Sequence, residues 1–185
     1  MQTTNMNNTK TEEQFKKVLT ECRTLFEKKL HDYSASWRIL RPSSLTDQLF
    51  IKAKRIRSLE IKKQAMVDEG IRPEFMALIN YGIVGLIQLE KGFVDETDIN
   101  TEQAMALYDR HASEALTLMV KKNHDYDEAW RSMRVSSYTD FILTKIQRIK
   151  ELEDIHGQAL VSEGIDSNLM DVINYAVFGV IRLSE

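Results

Sequence analysis

The residues of this sequence that could bind a phosphate group lie between positions 131 and 148. Asp140, Thr144 and Arg148 are four residues apart, so on a helix they share one face, with Lys145 beside them. Arginine presents a planar fork to phosphate oxygens, and lysine adds a compact positive charge. The segment before this helix adds two more arginines, Arg131 and Arg134. These side chains predict a phosphate site; the alternative is that they form ion pairs within the protein.

One carboxylate interrupts an otherwise apolar segment near the end of the chain. A carboxylate such as that of Asp171 on a core helix costs free energy unless it is paired or binds a metal. Glu163 precedes this segment, and Asn174 and Tyr175 follow Asp171 by about one turn. Oxygen ligands of this type suit Mg²⁺, which substrate phosphates often complete. The pattern predicts a Mg²⁺ site held by Glu163 and Asp171, with Asp171 catalytic, or else an ion pair at Asp171.

Two aromatic residues, Tyr126 and Trp130, lie close in sequence to the predicted phosphate site and could stack on a base. The alternative is that Trp130, like Trp37 earlier in the chain, anchors its segment to the core. The sequence contains no glycine-rich phosphate loop, no nucleophile elbow and no zinc-ligand spacing. Phosphate binding therefore depends on separate side chains.

The composition is that of a soluble globular protein, since 43% of the 185 residues are hydrophobic and 29% are charged. A net charge of −3 gives no overall attraction to nucleic acid or to an anionic membrane. We expect no membrane partner, and nucleic acid is a disfavoured alternative. The single cysteine excludes an intramolecular disulfide, and no apolar run reaches membrane-spanning length. We expect a cytoplasmic protein whose polar residues 1–10 are disordered.

The chain contains one sequence unit twice. The 33 residues from Lys28 match those from Lys121 at 17 positions, with an offset of 93 residues. The match resumes with an offset of 94 between Glu69 and Glu163. We name residues 11–91 repeat 1 and residues 101–185 repeat 2. The fold class predicted is all-α: two tandem three-helix repeats that share one core as a pseudo-twofold bundle, with further homo-oligomerisation compatible with the sequence.

Local signals predict where these helices begin and end. The first helices are predicted over residues 11–30 and 102–122, each followed by a connector that starts at a His-Asp-Tyr sequence. Ser44 and Ser137, each with an aspartate three residues later, resemble capping boxes that start the second helices. Gly70 and Gly164 suit left-handed caps at their ends. Pro73 then fits the first turn of a third helix.

The polar positions that are identical in the two repeats include ten that could serve a ligand site. In repeat 2 they are Lys121, Lys122, His124, Asp125, Arg131, Arg134, Asp140, Lys145, Arg148 and Asn174. Because duplicated segments share residues by descent, these positions could be functional or could form the internal ion pairs of each unit. The repeats differ at the carboxylates: Asp171 matches Ala77, and Glu74 matches Asn168.

The segments KKNHDY, SSYTDFILTKIQRI and SEGIDSNLMDVINYAVFGVIRL resemble the bacterial and phage family called nucleotide modification associated domain, type one. The resemblance covers nearly the whole chain, once per repeat. The last segment also resembles the acidic third helix of the all-helical nucleoside triphosphate pyrophosphatases of the MazG and dimeric dUTPase group. Those enzymes carry a Glu-x-x-Glu pair where this chain has the basic stretch Lys145 to Arg148, and each repeat keeps half of their Glu-x-x-Asp element.

The resemblance implies a nucleotide or other phosphate-bearing ligand and a Mg²⁺ cofactor. Asp171 matches a metal carboxylate and Glu163 a second, unless Glu74 meets Asp171 across the pseudo-twofold axis or the metal site has decayed. A Mg²⁺-dependent nucleoside triphosphate pyrophosphohydrolase is one hypothesis; a non-catalytic nucleotide or nucleic-acid binding module and a purely structural protein are the others. The predicted ligand-binding residues are Lys122, Asp125, Tyr126, Trp130, Arg131, Arg134, Asp140, Lys145, Arg148, Asn174 and Tyr175.

Overall fold

Six α-helices form the described part of the chain. A computed structural model describes residues 2–62, 70–156 and 164–185, and the backbone alone for residues 2–8. The helices are α1 (Gln2–Tyr33), α2 (Pro42–Lys62), α3 (Ile71–Lys91), α4 (Thr101–Tyr126), α5 (Val135–Asp154) and α6 (Ile165–Leu183). Short 3₁₀ helices follow α1 at Ser36–Ile39 and α4 at Ala129–Ser132. Within these ranges there is no strand, so the all-α prediction is confirmed.

The two repeats pack about a pseudo-twofold axis. Each helix contacts its own counterpart: α1 packs on α4, α2 on α5 and α3 on α6. The remaining contacts also come in matched pairs, because α2–α3 mirrors α5–α6 and α1–α6 mirrors α3–α4. One continuous apolar core runs through both repeats. The predicted shared-core bundle is therefore confirmed.

Helices α3 and α6 form the centre of the bundle because their apolar residues cover most of both surfaces. Glycines let them approach closely. A β-carbon added to Gly82 would lie 2.7 Å from Ile173 Cγ1, and one added to Gly179 would lie 2.9 Å from the Phe75 ring. The packing at this contact fixes α6, the helix that carries Asp171 and Asn174.

The last turns of α3 and α6 also form hydrogen bonds with the connector of their own repeat, the segment between its first and second helices. In repeat 1 the Gln88 amide donates hydrogen bonds to the carbonyls of Arg38 and Leu40, at 2.9 and 2.7 Å. Arg182 occupies the equivalent place in repeat 2 and donates to the carbonyls of Arg131 and Met133. Two different side chains thus hold the connectors in the same position.

Several predicted helix boundaries are wrong. Helix α1 begins at Gln2, within the segment predicted to be disordered, because extending an existing helix needs no new nucleus. Asp125 and Tyr126 belong to the last turn of α4, not to a connector. Helices α2 and α5 begin at Pro42 and Val135, so Ser44 and Ser137 lie inside the first turn instead of capping it.

The glycines before the central helices also differ from the prediction. Gly70 and Gly164 have φ values of −60° and −71°, so neither adopts the left-handed conformation. Both are the residues that precede the first turns of α3 and α6. Pro73 lies in the first turn of α3, as predicted. No described helix is long and apolar enough to cross a membrane.

Candidate functional site

Repeat 2 contains a cavity of about 380 Å³ between α4, the second 3₁₀ helix, α5 and α6. We call it the repeat-2 cavity. It brings together six of the residues predicted from the sequence: Lys122, Tyr126, Trp130, Asp171, Asn174 and Tyr175. They come from three separate segments of the chain, and the packing of α4 and the connector against α6 makes them neighbours. A cavity of this size can accommodate part of a small organic ligand.

Lys122 and Asp171 form the charged side of the cavity, and Lys145, which is not a lining residue, completes a Lys-Asp-Lys cluster by pairing with Asp171. Lys122 Nζ lies 2.7 Å from Asp171 Oδ1, and Lys145 Nζ lies 2.9 Å from Asp171 Oδ2. Asp171 is buried, whereas Lys122 is about half exposed. With two lysines and one aspartate, the cluster has a positive formal net charge. The ion pair at Asp171, one of the two alternatives from the sequence, is thus observed.

The described residues do not fit a Mg²⁺ ion at this position. Mg²⁺ needs oxygen ligands in octahedral geometry, and both Asp171 oxygens already accept from ammonium groups that would repel a cation. Glu74 pairs with Lys52 and Arg55 of its own repeat. No described group of three or more His, Cys, Asp or Glu side chains could hold a metal. Glu163 lies outside the described residues, so the Mg²⁺ site stays a prediction.

Aromatic rings form most of the remaining wall. The Trp130 ring stacks on Phe178 with 4.3 Å between centroids, and Phe141 contacts Tyr175 at 5.5 Å. Burial, and next the charge of Asp171, raise the pKa of Tyr175, so its hydroxyl stays protonated at neutral pH. A planar, largely apolar ligand with a few polar groups suits such a wall.

The amide of Asn174 is a buried polar group at this wall that has no hydrogen-bond partner among the described residues, as is the indole N–H of Trp130. Asn174 is only 6% exposed, and among the described residues neither its Oδ1 nor its Nδ2 has a hydrogen-bond partner. A buried amide without partners costs about 1–3 kcal/mol. Its counterpart Asn80 in repeat 1 is bonded at both atoms: it accepts from the Tyr108 hydroxyl at 2.7 Å and donates to the Cys22 carbonyl at 3.1 Å.

The predicted arginines lie elsewhere. The Arg131 guanidinium lies 4.3 Å from the centroid of the Trp130 ring and donates to Glu128, Glu185 and the N-terminal part of α1. It ties the connector to the rest of the bundle and does not line the repeat-2 cavity. Arg134 is exposed at the start of α5, and Arg148 pairs with Glu151 on α5 itself.

The two remaining predicted carboxylates are also separate from the cavity. Asp140 pairs with Arg57 of α2 across the repeat interface, at 3.3 Å. Asp125 is exposed and contacts the neighbouring His124. The phosphate-binding cluster predicted along one face of α5 is therefore not assembled at the cavity. Of its members, Lys145 pairs with a lining residue, Asp171.

Sequence reasoning missed several residues of the cavity wall, including Met119, Phe141 and Phe178. Apolar side chains of this kind look like ordinary core residues in a sequence. One signal could have found them: each differs from its counterpart in repeat 1, which is Phe26, Gln48 or Val84 respectively. Positions where duplicated units diverge are candidates for a site that only one unit has.

Two segments of the chain, residues 29–89 and 122–183, match the family described as nucleotide modification associated domain 1. Together they cover more than half of the chain, and each lies within one of the two repeats. No curated protein and no solved structure matches the chain.

Proposed function

Because the chain belongs to the family nucleotide modification associated domain 1, as two tandem copies, we propose that it binds a nucleotide in the repeat-2 cavity. The observation that carries the proposal is the convergence of a positively charged cluster and an aromatic wall on one cavity. The family description associates such domains with nucleotide modification. The positively charged cluster suits a phosphate group, and the aromatic wall suits a base.

The phosphate is bound by Lys122 and Lys145. The Lys122 ammonium has three donors, and its ion pair with Asp171 uses one of them. The exposed position of Lys122 leaves its ammonium accessible to an approaching anion. Asp171 pairs with both lysines, and the aromatic wall of the cavity is available to the base.

Hydrolysis with Mg²⁺ is the second candidate, and the observation that favours it is a buried carboxylate at the cavity wall, that of Asp171. Because the described residues do not fit a metal, this candidate depends on that one carboxylate. Release of pyrophosphate from a nucleoside triphosphate with Mg²⁺, lost in Asp171→Ala, would establish this activity. Binding with no release would leave the protein a nucleotide-binding module.

The test is a thermal-shift and calorimetric screen of nucleoside mono- and triphosphates, first in EDTA and then with Mg²⁺. A ligand at 100 times its Kd adds about 2.7 kcal/mol, which for a chain of this length raises Tm by about 5–10 °C. We expect Lys122→Met to weaken binding at least tenfold. Lys29→Met is the matched control, because Lys29 holds the same position in repeat 1 and is exposed. Absence of any shift with any nucleotide would overturn the proposal.

A further inference from the structure

The two repeats carry the same asparagine in two different states, and one residue accounts for the unpaired oxygen of Asn174. In repeat 1 the Asn80 carbonyl oxygen accepts from the Tyr108 hydroxyl of α4. The offset of 93 residues makes Phe15 of α1 the counterpart of Tyr108. Phe15 packs on α6 against Phe178, with 6.1 Å between ring centroids, but it has no hydroxyl to donate. The Asn174 oxygen therefore lacks the donor that its counterpart has.

A second difference determines the space beside the asparagine. In repeat 1 the Phe26 ring stacks on Tyr108 at 4.5 Å and contacts Trp37 at 6.1 Å, so aromatic side chains occupy the region next to Asn80. The counterpart of Phe26 is Met119, which lines the repeat-2 cavity. Repeat 2 therefore has a cavity where repeat 1 has a ring. The buried indole N–H groups of Trp37 and Trp130 lack partners among the described residues in both repeats, so they do not distinguish them.

We propose that the Asn174 amide forms hydrogen bonds with the edge of the ligand's base, and that the chain has one such base-binding site, in repeat 2. A primary amide presents a donor and an acceptor side by side in one plane. The edges of nucleobases present the complementary acceptor and donor, and asparagine pairs with adenine in this way in protein–DNA complexes. The ligand class is thus a nucleotide with an accessible base edge, not a sugar phosphate alone. This inference rests on the proposed function.

The experiment measures nucleotide binding by calorimetry in EDTA for the wild type, Asn174→Leu and Asn80→Leu. The probes are the four common nucleoside monophosphates and ribose 5-phosphate. Asn174→Leu keeps the side-chain size but removes both hydrogen-bonding atoms, so we expect nucleotide affinity to fall at least tenfold. Affinity for ribose 5-phosphate should not change. The Tm of Asn174→Leu should equal or exceed that of the wild type, since an unsatisfied buried amide has been removed.

Asn80→Leu is the matched control and should show the opposite pattern: a lower Tm, from loss of the bonds to Tyr108 and Cys22, with nucleotide affinity retained. The wild type should bind one nucleotide per chain. If the wild type binds nucleotides and Asn174→Leu binds them equally well, the inference is overturned while the proposed function stands. Two sites per chain would also overturn it. A wild type that binds no nucleotide would overturn both the inference and the proposed function. If Asn174→Leu does not fold, as checked by circular dichroism, the same measurement is made on Asn174→Ser.

Discussion

At the scale of single residues, the charge balance around Asp171 separates the two candidate functions. Its carboxylate neutralises part of the positive charge of Lys122 and Lys145. If those lysines bind phosphate directly, Asp171→Asn leaves two ammonium groups with no anion between them, and nucleotide affinity in EDTA should rise severalfold. If the carboxylate instead holds a metal, the same variant should lose Mg²⁺-dependent binding. Calorimetric titrations in EDTA and in Mg²⁺ distinguish these outcomes.

Cys22 provides a second prediction at this scale. Burial, the largest cause, raises the pKa of its thiol to about 12, so the thiolate is scarce at pH 8. The native protein should therefore resist iodoacetamide at pH 8, whereas the protein unfolded in urea should take up one equivalent, as measured by mass spectrometry. Alkylation of the native protein at the rate of an exposed thiol would contradict the buried position of Cys22.

The residues of the site were predictable in part, and the reason is chemical. Asp171 is recognisable in the sequence because a carboxylate in an apolar helix requires a partner, and its side chain lines the repeat-2 cavity. Arg131 was misplaced because one of its partners, Thr11, is 120 residues away in sequence. No local pattern reveals such a partner. The unsatisfied state of Asn174 was equally hidden, since it depends on Phe15 of the other repeat.

At the scale of helices, α2 and α5 meet through a mirrored pair of hydrogen bonds. Thr46 donates to Glu153 and Thr139 donates to Glu60, each at 2.6 Å. Burial, the largest cause, raises the pKa of both carboxyls above their ordinary values. For an acid whose folded pKa exceeds its unfolded pKa, the folded state binds the proton more tightly. Stability from these groups is then present at low pH and is lost as pH rises through the folded pKa.

The double variant Glu60→Gln, Glu153→Gln should therefore unfold at a higher Tm than the wild type at pH 8. Glutamine still accepts the threonine hydrogen bonds but carries no charge to bury. The difference in Tm should shrink as the pH is lowered, because the wild-type carboxyls become protonated. Thermal unfolding of both proteins across this pH range measures it, and a variant that is less stable at pH 8 would contradict the assigned burial.

The contact between α3 and α6 predicts the effect of filling a glycine. In Gly179→Ala the new methyl group would meet the Phe75 ring at 2.9 Å, and a ring packed in the core cannot shift easily. Overpacking of this kind costs about 1–3 kcal/mol, which exceeds the gain of about 1 kcal/mol from helix propensity. We expect Tm to fall by several degrees in thermal unfolding followed by circular dichroism. An unchanged or higher Tm would show that the two helices are packed less tightly than this contact requires.

Helix identity could be predicted from the sequence, whereas helix ends could not. Apolar periodicity extends over many residues, so all six helices were predicted. The ends depend on one or two residues, and several signals competed there. Pro42 started α2 at a position where proline suits the first turn, two residues before the predicted serine cap. Gly70 directly precedes the first turn of α3 and does not form the left-handed cap predicted for the end of α2.

At the scale of the whole molecule, the two repeats depend on each other. Every helix buries apolar residues against its counterpart in the other repeat, and one core serves both. We therefore expect a single cooperative unfolding transition, with equal calorimetric and van't Hoff enthalpies. Scanning calorimetry measures both. Two resolved transitions would show that the repeats are independent domains.

The location of the ligand can be read directly, because the chain has two tryptophans at equivalent positions, one in each repeat. Trp130 lines the repeat-2 cavity, and Trp37 contacts the Phe26 ring in repeat 1. Their indole N–H groups give two signals in a ¹⁵N–¹H correlation spectrum, assigned with the variant Trp37→Phe. Titration with a nucleotide in EDTA should move the Trp130 signal to saturation at one equivalent and leave the Trp37 signal in place. Equal movement of both signals, or movement of Trp37 alone, would contradict nucleotide binding in the repeat-2 cavity.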